Sequence, residues 1–377
     1  MRTPAVFATV LSLFATQLVL AQQATEGPYH VLKRANVGGE GSWDYLYADA
    51  NGRRLYIIRK IQQPEGAPAA AGNPPAPNAR LSIYDLDTLQ LVGEIAGVGG
   101  QGTAVDPKSG HGFTSSKPIS MFDPQTMKLL KTIDVPEATE PDGIYFDPSD
   151  ERVYVFSHPT QDATVIDAKD GSLVGTIKLG GRPEQAIADG KGHLYVVLQE
   201  DTGRVAVVDE KAMQTVRHFS LDDAGRCNGL ALDARHQVLF AACARSNTHD
   251  ADANGFPFRA INPIVVVLRA TDGKILAKEP LTGGADGAVF NPKTMETYVT
   301  TGNGMLTVVK EKSPTSFAVE QNLPTMNGAR TITFDTKTQH LFTMADQRGP
   351  MPPQTPGGRP RFPPAVPGTF TILEIGR

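Results

Sequence analysis

The sequence predicts an all-β protein, a ring of seven four-stranded antiparallel sheets. Three observations carry this. First, four short β-rich runs between Pro141 and Leu179 are separated by clusters of Asp, Pro, Gly and Ser that read as turns, which makes an antiparallel meander. Second, the unit recurs seven times, its first strand ending each time at a marker: Asp49, Asp106, Asp147, Asp189, Asp233, Asn291 and Asp335. Third, successive markers lie 57, 41, 42, 44, 58 and 44 residues apart, which is the period of a radial array. One meander cannot cover both of its faces, so neighbours must supply the cover. A closed β-propeller does this and leaves only short, protected sheet edges.

Each element has its own justification. The first strands are short apolar runs ending in the marker turn, as in Ile144-Tyr145-Phe146-Asp147-Pro148 and Gly229-Leu230-Ala231-Leu232-Asp233. The second strands follow as Arg54-Leu55-Tyr56-Ile57, Val153-Tyr154-Val155-Phe156, Leu194-Tyr195-Val196-Val197 and their counterparts. The two long intervals locate insertions at 62–79 and 246–262, and a third lies at 346–367, with eight prolines from Pro350 to Pro367. All three fall between a second and a third strand, so their loops leave one face, and loops of this length in a compact fold are usually functional or disordered. The first is Pro/Ala/Gly-rich and the third Pro-rich, and both predict extended polyproline character. The seventh unit lacks a fourth strand, whereas Tyr29-His30-Val31-Leu32-Lys33 has no place in the first. That N-terminal strand is expected to close the ring on the last blade.

Residues 1–21 read as a secretory signal: a basic Arg2, an apolar run from Ala5 to Leu20, and Ala21 before Gln22-Gln23. The expectation is a periplasmic or secreted protein, with residues 22–377 forming one propeller domain and no later membrane span. The formal charge of −4 gives no electrostatic case for nucleic acid, and a monomer is expected. Cys227 and Cys243 are the only cysteines, and an even pair in an exported chain predicts a disulfide. Counting back from the turn at Ala234–Gln237 sets Cys227 within one residue of facing Cys243.

Tyr298-Val299-Thr300-Thr301-Gly302-Asn303, Tyr154-Val155 and Tyr195-Val196 resemble the Tyr-Val-Thr-Asn (YVTN) repeat. The segment from Gly38 to Leu46 with Arg53-Arg54-Leu55-Tyr56 resembles the opening of bacterial YncE-like proteins, and Pro367 to Arg377 resembles their close. The resemblance covers essentially all of residues 22–377 and implies a seven-bladed propeller, usually exported. It specifies the fold and no reaction. Unit five departs from the repeat, since Leu268-Arg269 stands where Asp is usual.

Motifs of known chemistry give little. Gly97-Val98-Gly99-Gly100-Gln101-Gly102 spells a dinucleotide fingerprint, but Thr103–Asp106 and Pro107 follow as strand and turn where a helix is required, so it reads as an inter-blade turn. Asp250, Asp252 and Asn254, with Gly255, match the start of a Ca2+ loop, yet Ile261 occupies the place of the distal carboxylate. Ala48-Asp49-Ala50-Asn51-Gly52 shows the same residues serving as a plain turn. No cofactor is expected, with Ca2+ at that loop as the one exception. Trp43 reads as packing beneath the ring. His158 follows a second strand on the insertion face and is a candidate site residue, although isolated loop histidines are commoner.

The remaining constellation is positional. At the start of the innermost strand the seven units carry Asp44, Gln101, Asp142, Glu184, Asn228, Asp286 and Arg330. In a propeller these surround one mouth of the central channel, on the face of the insertions. They form either a ligand site or a set of turn caps that the repeat enforces. The reading is a binding scaffold for a small molecule, polymer or protein at that mouth, where Asp142, Glu184 and Asp286 face Arg330. The alternative is an enzyme, such as a metal-dependent hydrolase using the acidic mouth.

Overall fold

A computed structural model describes residues 25–60, 79–137, 140–247, 259–353 and 363–377. The proposed signal and the Ca2+ loop at Asp250, Asp252 and Asn254 lie outside the described residues, as does most of the first two insertions. Among the described residues there is no helix, and hence none long and apolar enough to cross a membrane.

Seven four-stranded antiparallel sheets form the blades. Blade three shows the pattern: Pro141–Asp147 lies innermost, then Arg152–Ser157, Asp162–Asp167 and, outermost, Leu173–Lys178. Its second and third strands are buried along nearly their whole length because a neighbouring blade covers each face, while its outer strand is largely exposed. This is why the middle strands read as continuous apolar runs rather than alternating ones.

The recurrent marker has a physical cause. Each closes the turn between first and second strands by accepting backbone N–H groups two or three residues on. Asp106 Oδ1 accepts from Lys108 N at 2.8 Å and Asp147 Oδ1 from Ser149 N at 2.8 Å. Asp189, Asp233, Asn291 and Asp335 repeat the contact with Lys191, Arg235, Lys293 and Lys337. Asp49 does so with Asn51 and Gly52. These are Asx turns, for which Asp and Asn are the suited residues. Unit five replaces the usual Asp of its next turn by pairing Arg269 Nε with Asp272 Oδ1 at 2.9 Å.

The ring closes as expected, with His30–Asn36 pairing antiparallel to Thr371–Gly376 as the outer strand of blade seven. The closure is also pinned to blade six. The Tyr29 hydroxyl donates to Glu296 Oε2 at 2.5 Å and lies 2.6 Å from the Tyr298 hydroxyl, and Arg377 donates to both Tyr29 and Glu296. The stem of the third insertion continues the second and third strands of blade seven, with Arg348 bridging to Ala365.

Cys227 and Cys243 form a disulfide and are direct partners across the first two strands of blade five. The one-residue offset counted from the turn is absorbed by a bulge at Asn228.

Candidate functional site

The same bulge builds the site. Register breaks interrupt the inner strands between Pro141 and Ile144, Pro183 and Ala186, Cys227 and Gly229, and Ala285 and Gly287. These gaps hold Asp142, Glu184, Asn228 and Asp286. A bulge adds an unpaired residue and re-aims its side chain, and here four consecutive blades use one at the same phase. Glycine follows at Gly229 and Gly287, where a Cβ would meet the neighbouring inner strand at 3.0 Å and 3.1 Å. The lack of a side chain there lets adjacent inner strands approach closely around the axis.

All seven strand-start residues and His158 line one cavity of about 610 Å³. Most are joined in a chain of contacts that runs from blade to blade. Gln199 Nε2 donates to Glu184 Oε1 at 2.6 Å and to Asn228 Oδ1 at 3.1 Å, and Asn228 Nδ2 donates to Asp286 Oδ1 at 2.8 Å. Arg330 continues it, with Nε 2.6 Å from Asp286 Oδ2 and Nη2 donating to Asp44 Oδ1 at 3.2 Å. Gln101 lies apart and accepts from Lys60 Nζ. Of the acids the sequence reading set across the channel from Arg330, Asp286 is instead its direct neighbour, and Arg330 sits between Asp286 and Asp44. Its guanidinium also lies 5.3 Å from the centre of the Trp43 ring, so Trp43 does more than fill space. The Tyr45 hydroxyl of blade one donates across the channel to Glu184 Oε2 of blade four at 3.2 Å, and Gln185 of blade four reaches the backbone of Leu230 in blade five and Ala288 in blade six.

His158 is not an isolated loop histidine. Its Nε2 lies 3.0 Å from Asp142 Oδ2 and 3.4 Å from Glu184 Oε1, although it aligns as a hydrogen bond with neither. Its Nδ1 is 2.9 Å from Arg182 Nη2. Arginine only donates, so Nδ1 accepts and the proton of the neutral ring resides on Nε2, toward the carboxylates. Burial opposes charging of His158, but Asp142 and Glu184 push its pKa up to about 9. Charging puts a proton on Nδ1 and costs the Arg182 contact. Burial likewise pushes Glu184 up to about 7 and Asp44 up to about 6, in each case helped by neighbouring carboxylates against a nearby cation. Burial lowers the Lys60 pKa, while for Arg330 the pull of Asp286 and Asp44 outweighs burial and raises it.

Asp142, His158 and Glu184 present ligand atoms within 4.8 Å of one another, a spacing a metal ion could span. The donor set fits a metal poorly. Coordination through Nε2 requires the ring proton to move to Nδ1, where Arg182 already donates, and would add a cation beside a guanidinium.

Sequence reasoning missed a second ring around the cavity. It consists of residues immediately after the second strands, of which Lys60, Ser115, His158 and Gln199 line the cavity and only His158 was singled out. Repeat phase was the available signal, because each stands one place beyond an apolar run.

No known family model matches the chain, and no curated protein does. Among solved structures the chain is similar to the RRP9 WD40 repeats (TM-score 0.66, 12% identity, covering 94% of this chain and 99% of that one). It is similar to U3-55K (0.65, 11%, 93% and 99%) and to Kuenenia stuttgartiensis hydrazine synthase (0.63, 16%, 79% and 91%). At these identities the likeness is one of fold: the chain is a seven-bladed β-propeller with WD40-like structural neighbours.

Proposed function

We propose that the protein is an exported binding module of the YVTN-repeat, YncE-like kind, whose mouth cavity takes a polar ligand bearing a cationic group. The observation that carries this is the convergence of the seven strand-start residues and His158 on one cavity. Asp44 and Glu184 hold their protons unusually tightly because burial, and after it repulsion from Asp142 and Asp286, disfavours their charge. An incoming ammonium group relieves that repulsion, so it gains from a site whose own carboxyls are under-compensated. The Cys227–Cys243 disulfide is in keeping with an oxidising compartment. A scaffold role is also in keeping with the WD40-like neighbours, one of which comes from a mitotic checkpoint complex (TM-score 0.63, 10% identity).

One arrangement favours a second reading. A buried carboxyl titrating near neutrality beside a histidine and another carboxylate suits general acid–base chemistry, so a hydrolase working without a metal is the alternative at the same mouth.

The test is a thermal-shift screen of the mature protein against paired probes. Amino sugars, diamines and short peptides are run beside their N-acetylated counterparts. Stabilisation by amines and not by acetylated partners is expected, since a ligand of the native state raises its melting temperature. Equal shifts within the pairs would remove the cationic group from the proposal.

A further inference from the structure

The face opposite the mouth carries two clusters that the repeat makes equivalent. In each, the marker Asp and the residue three places after it meet an acidic residue at the end of the third strand of the next blade, Glu210 just past Arg204–Asp209 and Glu311 near the end of Met305–Ser313. Between blades five and six these are Asp233, His236 and Glu311; between blades three and four they are Asp147, Asp150 and Glu210. The equivalence extends to the backbone: Glu210 N donates to Gly192 O, Glu311 N to Met295 O, Ala168 N to Glu151 O and Ala270 N to Gln237 O. At this position blades one, three and five carry the buried apolar residues Leu86, Ala168 and Ala270. An acid replaces them only in blades four and six, and in both cases the facing turn has a titratable third residue.

The two clusters fill the space between their carboxylates differently. In the first, His236 Nδ1 lies 2.8 Å from both Asp233 Oδ2 and Glu311 Oε1, so a ring nitrogen stands between two buried carboxylates. In the second, Asp150 takes the place of that histidine. Asp147 and Glu210 are each at least 97% buried, and Glu210 Oε1 has no hydrogen-bond donor. Two facing carboxylates are both acceptors and cannot bond to one another unless a proton or a cation lies between them. Arg152 stands 3.7 Å from Asp150 Oδ2 and spends its Nη1 on the Glu210 carbonyl.

We propose that Asp147, Asp150 and Glu210 bind a divalent metal ion of the hard, oxygen-preferring class, Ca2+, Mg2+ or Mn2+, between blades three and four. The ion does there what His236 does between blades five and six. The donors suit it: three carboxyl groups whose ligand atoms lie within 4.8 Å of one another, with the Ser149 hydroxyl already on Asp147 and the Tyr154 hydroxyl on Asp150. Asp150 is partly exposed and gives the ion a route from solvent. The competing occupant is a shared proton, toward which burial and Asp147 already push Glu210, with a pKa of about 9.

The experiment uses the whole mature chain, stripped with EDTA and titrated with CaCl2, MgCl2 or MnCl2 by calorimetry and thermal shift. Wild type, Glu210→Gln, Asp150→His and the mouth variant Glu184→Gln are compared. For wild type and Glu184→Gln we expect saturable binding of one ion at this site and a rise in melting temperature of about 3–4 °C at roughly a hundredfold excess over the dissociation constant. Glu210→Gln should lose the response. Asp150→His, which copies the arrangement of blade five, should fold, lose it and no longer need the ion. A wild type indifferent to all three salts would overturn the proposal in favour of the proton. So would a response that survives Asp150→His and Glu210→Gln, or one that only Glu184→Gln abolishes.

Discussion

At the scale of single residues, His158 and Glu184 set the behaviour of the mouth. Both have raised pKa values, so the folded protein binds their protons more tightly than the unfolded chain does. The resulting stability is complete below the ordinary values of 4.5 for Glu184 and 6.5 for His158, and is lost as pH rises through about 7 and about 9. His158→Gln should therefore melt below wild type at pH about 6, with the gap closing toward pH 9. Melting curves across this range check it, and a gap independent of pH would contradict it. The sequence offered His158 as a candidate and could not show its partners. Asp142 lies beside it in the same hairpin, where Pro141 pairs with Ser157, but Glu184 comes from the inner strand of the next blade and Arg182 from an inter-blade loop that reads simply as Gly-Gly-Arg-Pro. The contact with Glu184 comes from the ring and is local to no segment.

Among elements, the turns were legible and the bulges were not. An Asx turn needs a particular side chain at a particular place, so seven Asp or Asn markers could be counted directly. A bulge at Asn228 or Asp286 needs only one extra residue ahead of a strand and leaves no compositional mark, yet it aims the side chains that make the cavity. The closing strand was legible because it had no other partner. Its anchor at Glu296 was not, since Tyr29 and Glu296 are 267 residues apart. Glu296 is fully buried and depends on donors from Tyr29, Tyr298 and Arg377. Tyr29→Phe removes one donor and should cost about 1–2 kcal/mol, a fall in melting temperature of about 1–3 °C. An unchanged transition would show that the closing strand holds without this anchor.

On the scale of the whole molecule, the two faces divide the work. On one, the marker turns use their polar groups to satisfy their own backbone. On the other, the bulges and the ends of the second strands turn polar groups toward one another around the axis, with the stem of the third insertion alongside. Repeat phase alone predicted the fold and the mouth, because each unit places its residues by rotation about a common axis. The charge pattern was not predictable in this way: Arg330 occupies one blade only, and its pairing with Asp44 and Asp286 depends on which blades flank it. The central claim is that ligands bind at this mouth. It is tested most directly by taking any probe that stabilises the wild type and measuring its affinity for two double variants. Asp142→Asn plus Asp286→Asn removes two carboxylates from the mouth, and Glu151→Gln plus Asp272→Asn removes two from exposed turns on the other face. Binding weakened at least tenfold in the first and unchanged in the second, with both folded, is the expected result, since losing close charge contacts costs about 1.4 kcal/mol or more. Equal affinity for both would place the binding site away from the mouth.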